Sequence, residues 1–119
     1  MEAIKHFKEL KVWQKGIEIV KDIYEITKRF PKEEMYGLTT QMRRSAISIP
    51  SNIAEGFKRY HAKEYKQFLY IGLGSVAELE TQIVIAKEIG LLDDTKMNFI
   101  NEKLDHTSKM LSSLISKLR

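Results

Sequence analysis

Apolar residues return every three or four positions along four stretches of the chain, which is the spacing of helices that bury one face. No stretch alternates apolar and polar residues in the way of a half-buried strand. The pattern therefore predicts an all-α protein with four helices. The predicted helices cover about residues 7–30, 38–57 and 62–89, and a last one begins at Asp93 or Asp94 and runs to the end.

The residues between these stretches predict where each helix ends. Pro31 cannot continue a helix, and Gly90 is typical of the position just after one. The segment 56–61 is predicted to be the turn between the second and third helices. Four long helices with short connections favour an antiparallel up-down-up-down four-helix bundle. We expect the 119 residues to form one such domain, residues 1–119.

Pro50 lies inside the predicted second helix. Its ring clashes with the preceding turn and its nitrogen cannot donate a hydrogen bond, so we expect this helix to be kinked at Pro50. Two shorter helices that meet at the proline are the alternative.

The third predicted helix is apolar over more than half of its circumference. One stripe is a heptad seam, formed by Tyr65, Leu69, Gly72, Val76, Leu79, Ile83 and Ala86. Further apolar residues lie outside this seam, namely Tyr70, Leu73, Val84 and Ile85. The first helix also carries two adjacent apolar stripes. Apolar faces wider than one core needs predict contact with another subunit.

The composition excludes several kinds of site. The sequence has no cysteine, which rules out disulfides, thiolate zinc sites and iron–sulfur clusters. The three histidines, His6, His61 and His106, are far apart in the sequence, and no nucleophile or phosphate-loop motif is present. We therefore expect no enzyme activity, no catalytic residue, no metal and no cofactor.

The sequence also lacks the usual membrane signals. No uninterrupted apolar run reaches the roughly 18 residues that a membrane span needs. The first 16 residues are charged throughout and do not resemble a signal peptide. We expect a cytoplasmic protein with no membrane partner.

A basic cluster lies in the turn between the second and third helices. The chain carries 20 Lys and Arg against 16 Asp and Glu, a net charge of +4. Basic residues interleaved with tyrosines suit phosphate contact and base stacking, so the cluster predicts an RNA or DNA site. An ordinary solvated rim is the alternative, although a ring of subunits would repeat the cluster and strengthen its field. The predicted nucleic-acid-binding residues are Lys58, Arg59, Tyr60, Lys63 and Lys66, and the N-terminal segment adds Lys5, His6, Lys8, Lys11 and Lys15.

The second helix carries a polar face that has two interpretations. Its residues are Gln41, Arg44, Ser48, Asn52 and Glu55, with Arg43 alongside. Arginine forks match phosphate oxygens, so the face is one possible phosphate or partner surface. We favour an internal network instead, in which Arg43 or Arg44 binds Glu78, Glu80 or Gln82 of the third helix and Asn52 takes part, because buried charges need such partners.

Three strings together resemble a known family: VWQKGIEIV, YGLTTQMRRSAISIPSNIAEG and GSVAELETQIVIAKEIG. They are similar to the bacterial four-helix-bundle proteins that intervening sequences of 23S ribosomal RNA genes encode, and the likeness covers about residues 7–92. The resemblance implies a homo-oligomer, since related bundles form five-fold rings. One relative, the accessory protein of diversity-generating retroelements, is a pentamer whose basic surface binds nucleic acid and a reverse transcriptase. No activity is firmly established for the rRNA-intervening branch.

Two hypotheses of function follow. The first is a non-enzymatic, ring-forming bundle that binds nucleic acid through its basic rim. The second is a protein–protein scaffold that uses the apolar faces of helices one and three and has no nucleic-acid role.

Overall fold

The computed structural model describes residues 3–118, which form four α-helices and two short 3-10 turns and contain no strand. The predicted all-α fold with four helices is confirmed. Residues 1, 2 and 119 of the predicted domain lie outside the described residues. The helices are α1 (Lys11–Thr27), α2 (Leu38–Phe57), α3 (Ala62–Glu88) and α4 (Asp94–Lys117), and the 3-10 turns are Phe7–Glu9 and Lys32–Glu34.

Each helix packs against two others. The contacting pairs within residues 3–118 are α1 with α2, α2 with α3, α3 with α4, and α1 with α4. Along α2 the partners on α3 run in falling order: Ser45 contacts Glu78, and Ser48 contacts Ser75. This order favours the antiparallel arrangement of neighbouring helices that the short connections predict.

The core lies between the four helices. The predicted heptad seam of α3 faces this core, and every member from Leu69 to Ala86 is buried. On α4 the buried positions between residues 100 and 111 are Ile100, Leu104, Thr107 and Leu111. The largest fully enclosed side chains are Ile19, Ile23, Met42, Ile49, Ile53, Leu69, Val76, Leu79, Ile83, Ile100, Leu104 and Leu111.

The first predicted helix is shorter than its apolar pattern suggests. A 3-10 turn precedes α1, and Leu10 between them is extended, with φ −71° and ψ 124°. A capping box begins the 3-10 turn. The Glu9 carboxylate accepts a hydrogen bond from the His6 backbone N–H at 2.8 Å, and the His6 ring accepts one from the Lys8 backbone N–H at 3.3 Å. These bonds satisfy N–H groups that have no backbone partner at the start of a helix. The Lys8 carbonyl accepts a hydrogen bond from the Gln14 side-chain amide at 2.8 Å, which ties the turn to α1.

Pro50 is accommodated without a break, because α2 continues from Leu38 to Phe57. The alternative of two short helices is therefore wrong, and the kink at Pro50 stays a prediction. Pro50 is buried against α1 at Gly16, where an added Cβ would lie 3.2 Å from the proline Cβ. A residue without a side chain thus lets α1 lie against the proline ring.

The end of α3 and the start of α4 follow the sequence signals. Gly90 has φ +83°, and its N–H donates to the Lys87 carbonyl at 3.1 Å. The next N–H, of Leu91, donates to the Ala86 carbonyl at 2.8 Å, which completes a Schellman motif. Asp93 then caps α4, because its carboxylate accepts a hydrogen bond from the Lys96 N–H at 2.8 Å.

The apolar character of α3 exceeds what the core uses. One 18-residue window of this helix has a mean hydropathy of 1.3, high enough by composition for a membrane span, although a core helix passes the same test. Polar residues such as Ser75 and Glu78 interrupt the apolar residues of α3, so the helix contains no uninterrupted apolar run of 18 residues. Only 39% of the window is buried within residues 3–118, so much of this apolar helix faces outward.

Candidate nucleic-acid interface

The charges of the protein are divided unequally between two halves of the bundle. We call residues 3–15, 52–72 and 106–118 the basic end; it carries ten Lys or Arg and three Asp or Glu. The opposite end, residues 16–51 and 73–105, carries nine Lys or Arg and twelve Asp or Glu. The net charge of +4 therefore conceals one end that is strongly basic and one that is acidic. Such a segregated field attracts polyanions to one side of a molecule.

Contacts join the three segments of the basic end. The Lys58 ammonium lies 5.9 Å from the centre of the Phe7 ring, which links the α2–α3 turn to the N-terminal segment. A shallow cavity of about 430 Å³ between α1 and α4 is lined by Lys11, Lys109 and Lys117. Sequence spacing does not show that Lys109 and Lys117 belong here, because only the packing of α4 against α1 brings them to this end.

The α2–α3 turn is held in a close steric fit. A Cβ added to Gly56 would lie 2.9 Å from the Phe68 Cβ and 2.9 Å from the Tyr65 Cδ1. The Tyr65 ring also meets Phe57 edge-on, with 6.1 Å between ring centres. Burial raises the pKa of the Tyr65 phenol above its ordinary value, so this hydroxyl stays neutral. The turn therefore presents its side chains from a fixed backbone.

All five predicted binding residues have side chains that are at least partly exposed. Lys58 and Lys63 are exposed, and Lys66 is partly buried at the junction of α3 and α4. Within residues 3–118, none of these lysines forms an ion pair. Tyr60 is 100% exposed at the tip of the turn. Three lysines and one tyrosine thus lie around the same turn. Proteins that bind single-stranded nucleic acid combine such cations with aromatic rings on which bases stack.

Arg59 differs from its predicted neighbours because its guanidinium has intramolecular partners. It lies 3.7 Å from the Glu55 carboxylate of α2 and 3.9 Å from the Glu64 carboxylate of α3. It also stacks over the Phe68 ring at 4.7 Å. Two carboxylates offset its charge, so Arg59 joins the two sides of the turn and we leave it out of the proposed phosphate contacts.

Arg43 does not have the partner on α3 that the internal-network interpretation allows for it. Arg43 contacts α1 rather than α3: its Nε donates to the Thr27 hydroxyl at 2.9 Å, and its guanidinium stacks over the Tyr24 ring at 4.3 Å. No ion pair within residues 3–118 joins Arg43 or Arg44 to Glu78 or Glu80. The sequence pattern missed Arg43's partner because Thr27 is neutral and lies on α1.

Serine hydroxyls form the hydrogen bonds between the side chains of α2 and α3 instead. The Ser75 hydroxyl donates to the Ser48 hydroxyl at 2.8 Å, and the Asn52 side chain donates to the same oxygen at 2.8 Å. The Ser45 hydroxyl donates to the Glu78 carboxylate at 3.3 Å. Arg44, Glu78 and Gln82 line one cavity of about 200 Å³, and Glu80 is not among the residues that line it. This cluster is polar but nearly neutral, so it offers a polyanion little attraction.

The part of the chain that the structure describes contains no candidate metal site. No group of three or more His, Asp or Glu side chains within residues 3–118 lies close enough to hold a metal ion.

Comparison with known proteins gives the family and the fold. A family model described as 23S rRNA-intervening sequence protein matches residues 8–113. A crystal structure from Bacteroides thetaiotaomicron, of a protein with unknown function from the S23 ribosomal protein family, superposes with a TM-score of 0.81. The two sequences are 23% identical over 87% of this chain and 97% of that one, so the likeness shows the fold. No protein of curated function matches the chain. The chain belongs to the 23S rRNA-intervening sequence protein family.

Proposed function

We propose that this protein binds RNA or DNA through its basic end and acts by binding rather than by catalysis. The observation that carries the proposal is the charge division: ten basic against three acidic residues at one end, around a fully exposed tyrosine. The family description supports a link with nucleic acid only through its name. The cysteine-free sequence suits a reducing cytoplasm, where we place this role.

The geometry suggests how a strand would be held. Lys58, Lys63 and Lys66 would contact phosphates, and Lys11, Lys109 and Lys117 would extend the path across α1 and α4. Each neutralised phosphate releases condensed counterions, so affinity should fall steeply as salt rises. Tyr60 is free to stack on an unpaired base, which favours single strands or loops over a duplex.

A salt titration tests the proposal directly. Nuclease-treated protein is titrated against labelled single-stranded RNA, structured RNA, single-stranded DNA and duplex DNA, and binding is followed by fluorescence anisotropy at several salt concentrations. We expect the logarithm of the association constant to fall linearly with the logarithm of the salt concentration. Absence of binding at low salt would contradict the proposal.

A matched pair of variants locates the site. Lys58→Glu, Lys63→Glu and Lys66→Glu together should lower affinity about a hundredfold or more and reduce the salt slope, because three phosphate contacts become repulsive. Lys21→Glu, Lys28→Glu and Lys32→Glu make the same change in net charge at the opposite end. All six lysines are exposed or partly exposed, so both variants should stay folded. Equal losses in the two variants would show attraction to net charge rather than a site.

We also propose that copies of the chain associate. The support is the outer side of α3, where Tyr70, Ile71, Val84, Ile85 and Ile89 are all about half exposed. On α1 the exposed large apolar residues are Ile17 and Tyr24, and Arg43 covers part of the Tyr24 ring. The five-fold ring of related bundles is one possible assembly. A different protein seated on α3 is the alternative scaffold hypothesis, which predicts a co-purifying partner and no salt-dependent nucleic-acid binding.

A further inference from the structure

A groove between α3 and α4 opens at the basic end of the bundle. Its volume is about 330 Å³. Of the residues that line it, only Lys66 is among the binding residues predicted from the sequence. We call it the α3–α4 groove, and its lining residues are Lys66, Tyr70, Leu73, Ser112, Ile115 and Ser116.

The walls of the α3–α4 groove are of three kinds. Leu73 is partly buried and Ile115 is buried, so they supply an apolar floor. The Tyr70 ring is 59% exposed. On the α4 side, Ser112 and Ser116 are exposed and supply hydroxyls. An exposed aromatic ring beside apolar side chains and hydroxyls suits a flat ligand with polar edges, such as a nucleobase.

The charges around the α3–α4 groove favour an anion. Residues 65–77 of α3 and 106–118 of α4 contain no Asp or Glu. Among residues 3–118, no carboxylate forms an ion pair with Lys66. By contrast, the cavity between α2 and α3 has Glu78 in its wall. A carboxylate in the wall repels a phosphate, so the α3–α4 groove is better suited to hold one.

We propose that the α3–α4 groove binds one unpaired nucleotide, with its base stacked on the Tyr70 ring and its phosphate on the Lys66 ammonium. The inference rests on the nucleic-acid binding proposed above, and it adds a subsite and a second stacking platform. RNA and DNA strands both carry these two groups. A duplex does not offer them in this form, because its bases are already paired and stacked on one another.

The side chains along α3 follow the order that a bound strand needs. Lys63, Lys66 and Tyr70 lie at steps of three and four, which places them on one face of the helix. Lys66 and Tyr70 are neighbours on that face, so they can hold the phosphate and the base of one nucleotide. Tyr60 lies at the tip of the turn before α3, and about 10 Å of helix separates Lys63 from Tyr70 at 1.5 Å rise per residue. A strand stacked on Tyr60 therefore reaches Tyr70 past two cations.

Tyr70 is also one of the exposed apolar residues that support association of copies. Val84, Ile85 and Ile89 of that surface begin fourteen residues after Tyr70, about 21 Å further along the helix. Ile71 follows Tyr70 directly, but one residue turns a helix by about 100°, and Ile71 is not among the residues that line the groove. A neighbouring copy can therefore cover the far part of α3 and leave Tyr70 open to a nucleotide, so the two proposals are compatible.

Substitutions at Tyr70 separate stacking from apolar contact. Tyr70→Leu keeps apolar bulk and removes the ring, whereas Tyr70→Phe keeps the ring. We expect Tyr70→Leu to weaken binding of an unstructured RNA or DNA strand about 5- to 150-fold, and Tyr70→Phe to retain it. Affinity for a duplex of the same sequence should not change in either variant. Anisotropy titrations of the full chain, with wild type in parallel, measure all of these affinities.

The salt dependence of binding tests the role of Lys66. Lys66→Met removes one phosphate contact, so the slope of log affinity against log salt should become shallower by about 0.7 for a single strand. Tyr70→Leu should leave that slope unchanged, because the ring contacts no phosphate. A slope that both substitutions change equally, or that neither changes, would overturn this division of roles.

Photo-cross-linking locates the bound base. RNA strands that carry iodouridine at each position in turn should cross-link to Tyr70 as well as to Tyr60, and mass spectrometry of the digested complex identifies the residue. Cross-linking at Tyr70 together with weaker binding by Tyr70→Leu supports the subsite.

The other outcomes separate the subsite from the proposed function. Normal binding by Tyr70→Leu, or cross-links at Tyr60 without any at Tyr70, overturns the subsite and leaves binding at the basic end standing. Absence of wild-type binding at low salt removes both. A changed subunit number for Tyr70→Leu in light scattering assigns the ring to a contact between copies and also overturns the subsite.

Discussion

The two ends of the bundle use charge in different ways. At the opposite end, Lys103 of α4 bridges to α1, with its ammonium 2.6 Å from Asp22 and 3.4 Å from Glu18, and Lys87 meets Asp94 at 3.3 Å. At the basic end, Lys58, Lys63 and Lys66 have no such partner within residues 3–118. What holds the basic end is a steric fit around Gly56. The lysines there therefore have no ion pair within residues 3–118 to lose, and in the proposed function they contact a ligand.

Replacement of Gly56 should produce the largest change in stability. Gly56→Ala puts a methyl group 2.9 Å from atoms of Phe68 and Tyr65, so the α2–α3 turn must shift. We expect a loss of about 1–3 kcal/mol in the free energy of unfolding, measured by urea denaturation. Gly74→Ala is the control: its site is open, and alanine favours a helix over glycine by roughly 0.5–1 kcal/mol. Equal effects of the two substitutions would contradict the steric account of the basic end.

Tyrosines at the two ends offer a comparison of binding. Tyr60→Ala should weaken affinity for single-stranded nucleic acid by about 1–3 kcal/mol, because one stacked base loses its platform. Tyr36 is 96% exposed near the start of α2 and Tyr60 is 100% exposed, so Tyr36→Ala is a matched control that should leave affinity unchanged. Anisotropy titrations with single strands and with duplex measure both. Stacking at Tyr60 would be contradicted if Tyr60→Ala lowered affinity for single strands and for duplex equally. It would also be contradicted if Tyr36→Ala lowered affinity as much as Tyr60→Ala.

Much of the fold was predictable, because local signals coincide with packing. The predicted bounds of α2 are those of the structure, and Gly90 and Asp93 act as the stop and the cap that the sequence indicates. The break at Leu10 was not predicted. Apolar periodicity continues through it, and the reciprocal cap between His6 and Glu9 marks a helix start, so neither signal locates the extended Leu10.

The candidate site was predictable in composition but not in its pairings. Lys58, Tyr60 and Lys63 are exposed and Lys66 is partly exposed, as expected, since burial of so many charged side chains in one turn would be unfavourable. Arg59 was grouped with them because sequence gives no sign that two carboxylates, one on each side of the turn, converge on it. The sequence pattern favours a partner on α3 for Arg43 or Arg44, namely Glu78, Glu80 or Gln82, whereas tertiary packing gives Arg43 a threonine and an aromatic ring on α1.

The contact between Arg43 and Thr27 should contribute a smaller amount to the opposite end. Thr27 is 2% exposed, and its hydroxyl accepts from the Arg43 Nε at 2.9 Å. Thr27→Val keeps the shape and removes the acceptor, so we expect a loss of about 1 kcal/mol in urea denaturation. In an Arg43→Met background the same substitution should cost much less. A cost that is unchanged in that background would show that Thr27 acts independently of Arg43.

The smallest expected effect is the pH dependence of the Lys103 ion pairs. Burial raises the pKa of Glu18, but Lys15 and Lys103 outweigh it and hold that pKa below the ordinary 4.5. Burial lowers the pKa of Lys103, but hydrogen bonds and attraction from Asp22 and Glu18 outweigh it and raise that pKa above 10.5. The lowered acid stabilises the fold above pH 4.5, and the raised base stabilises it below pH 10.5.

Lys103→Met should therefore lower the free energy of unfolding by less than about 1 kcal/mol at neutral pH, since the groups are partly exposed. The difference from wild type should shrink as pH falls below 4.5 and Glu18 takes up its proton, and again as pH rises above 10.5 and Lys103 loses its own. Lys63→Met, at the basic end, should show no such window, because Lys63 forms no ion pair with any of residues 3–118. A flat difference for Lys103→Met across this range would mean that the ionisation of Lys103 and Glu18 contributes nothing measurable to the stability of the opposite end.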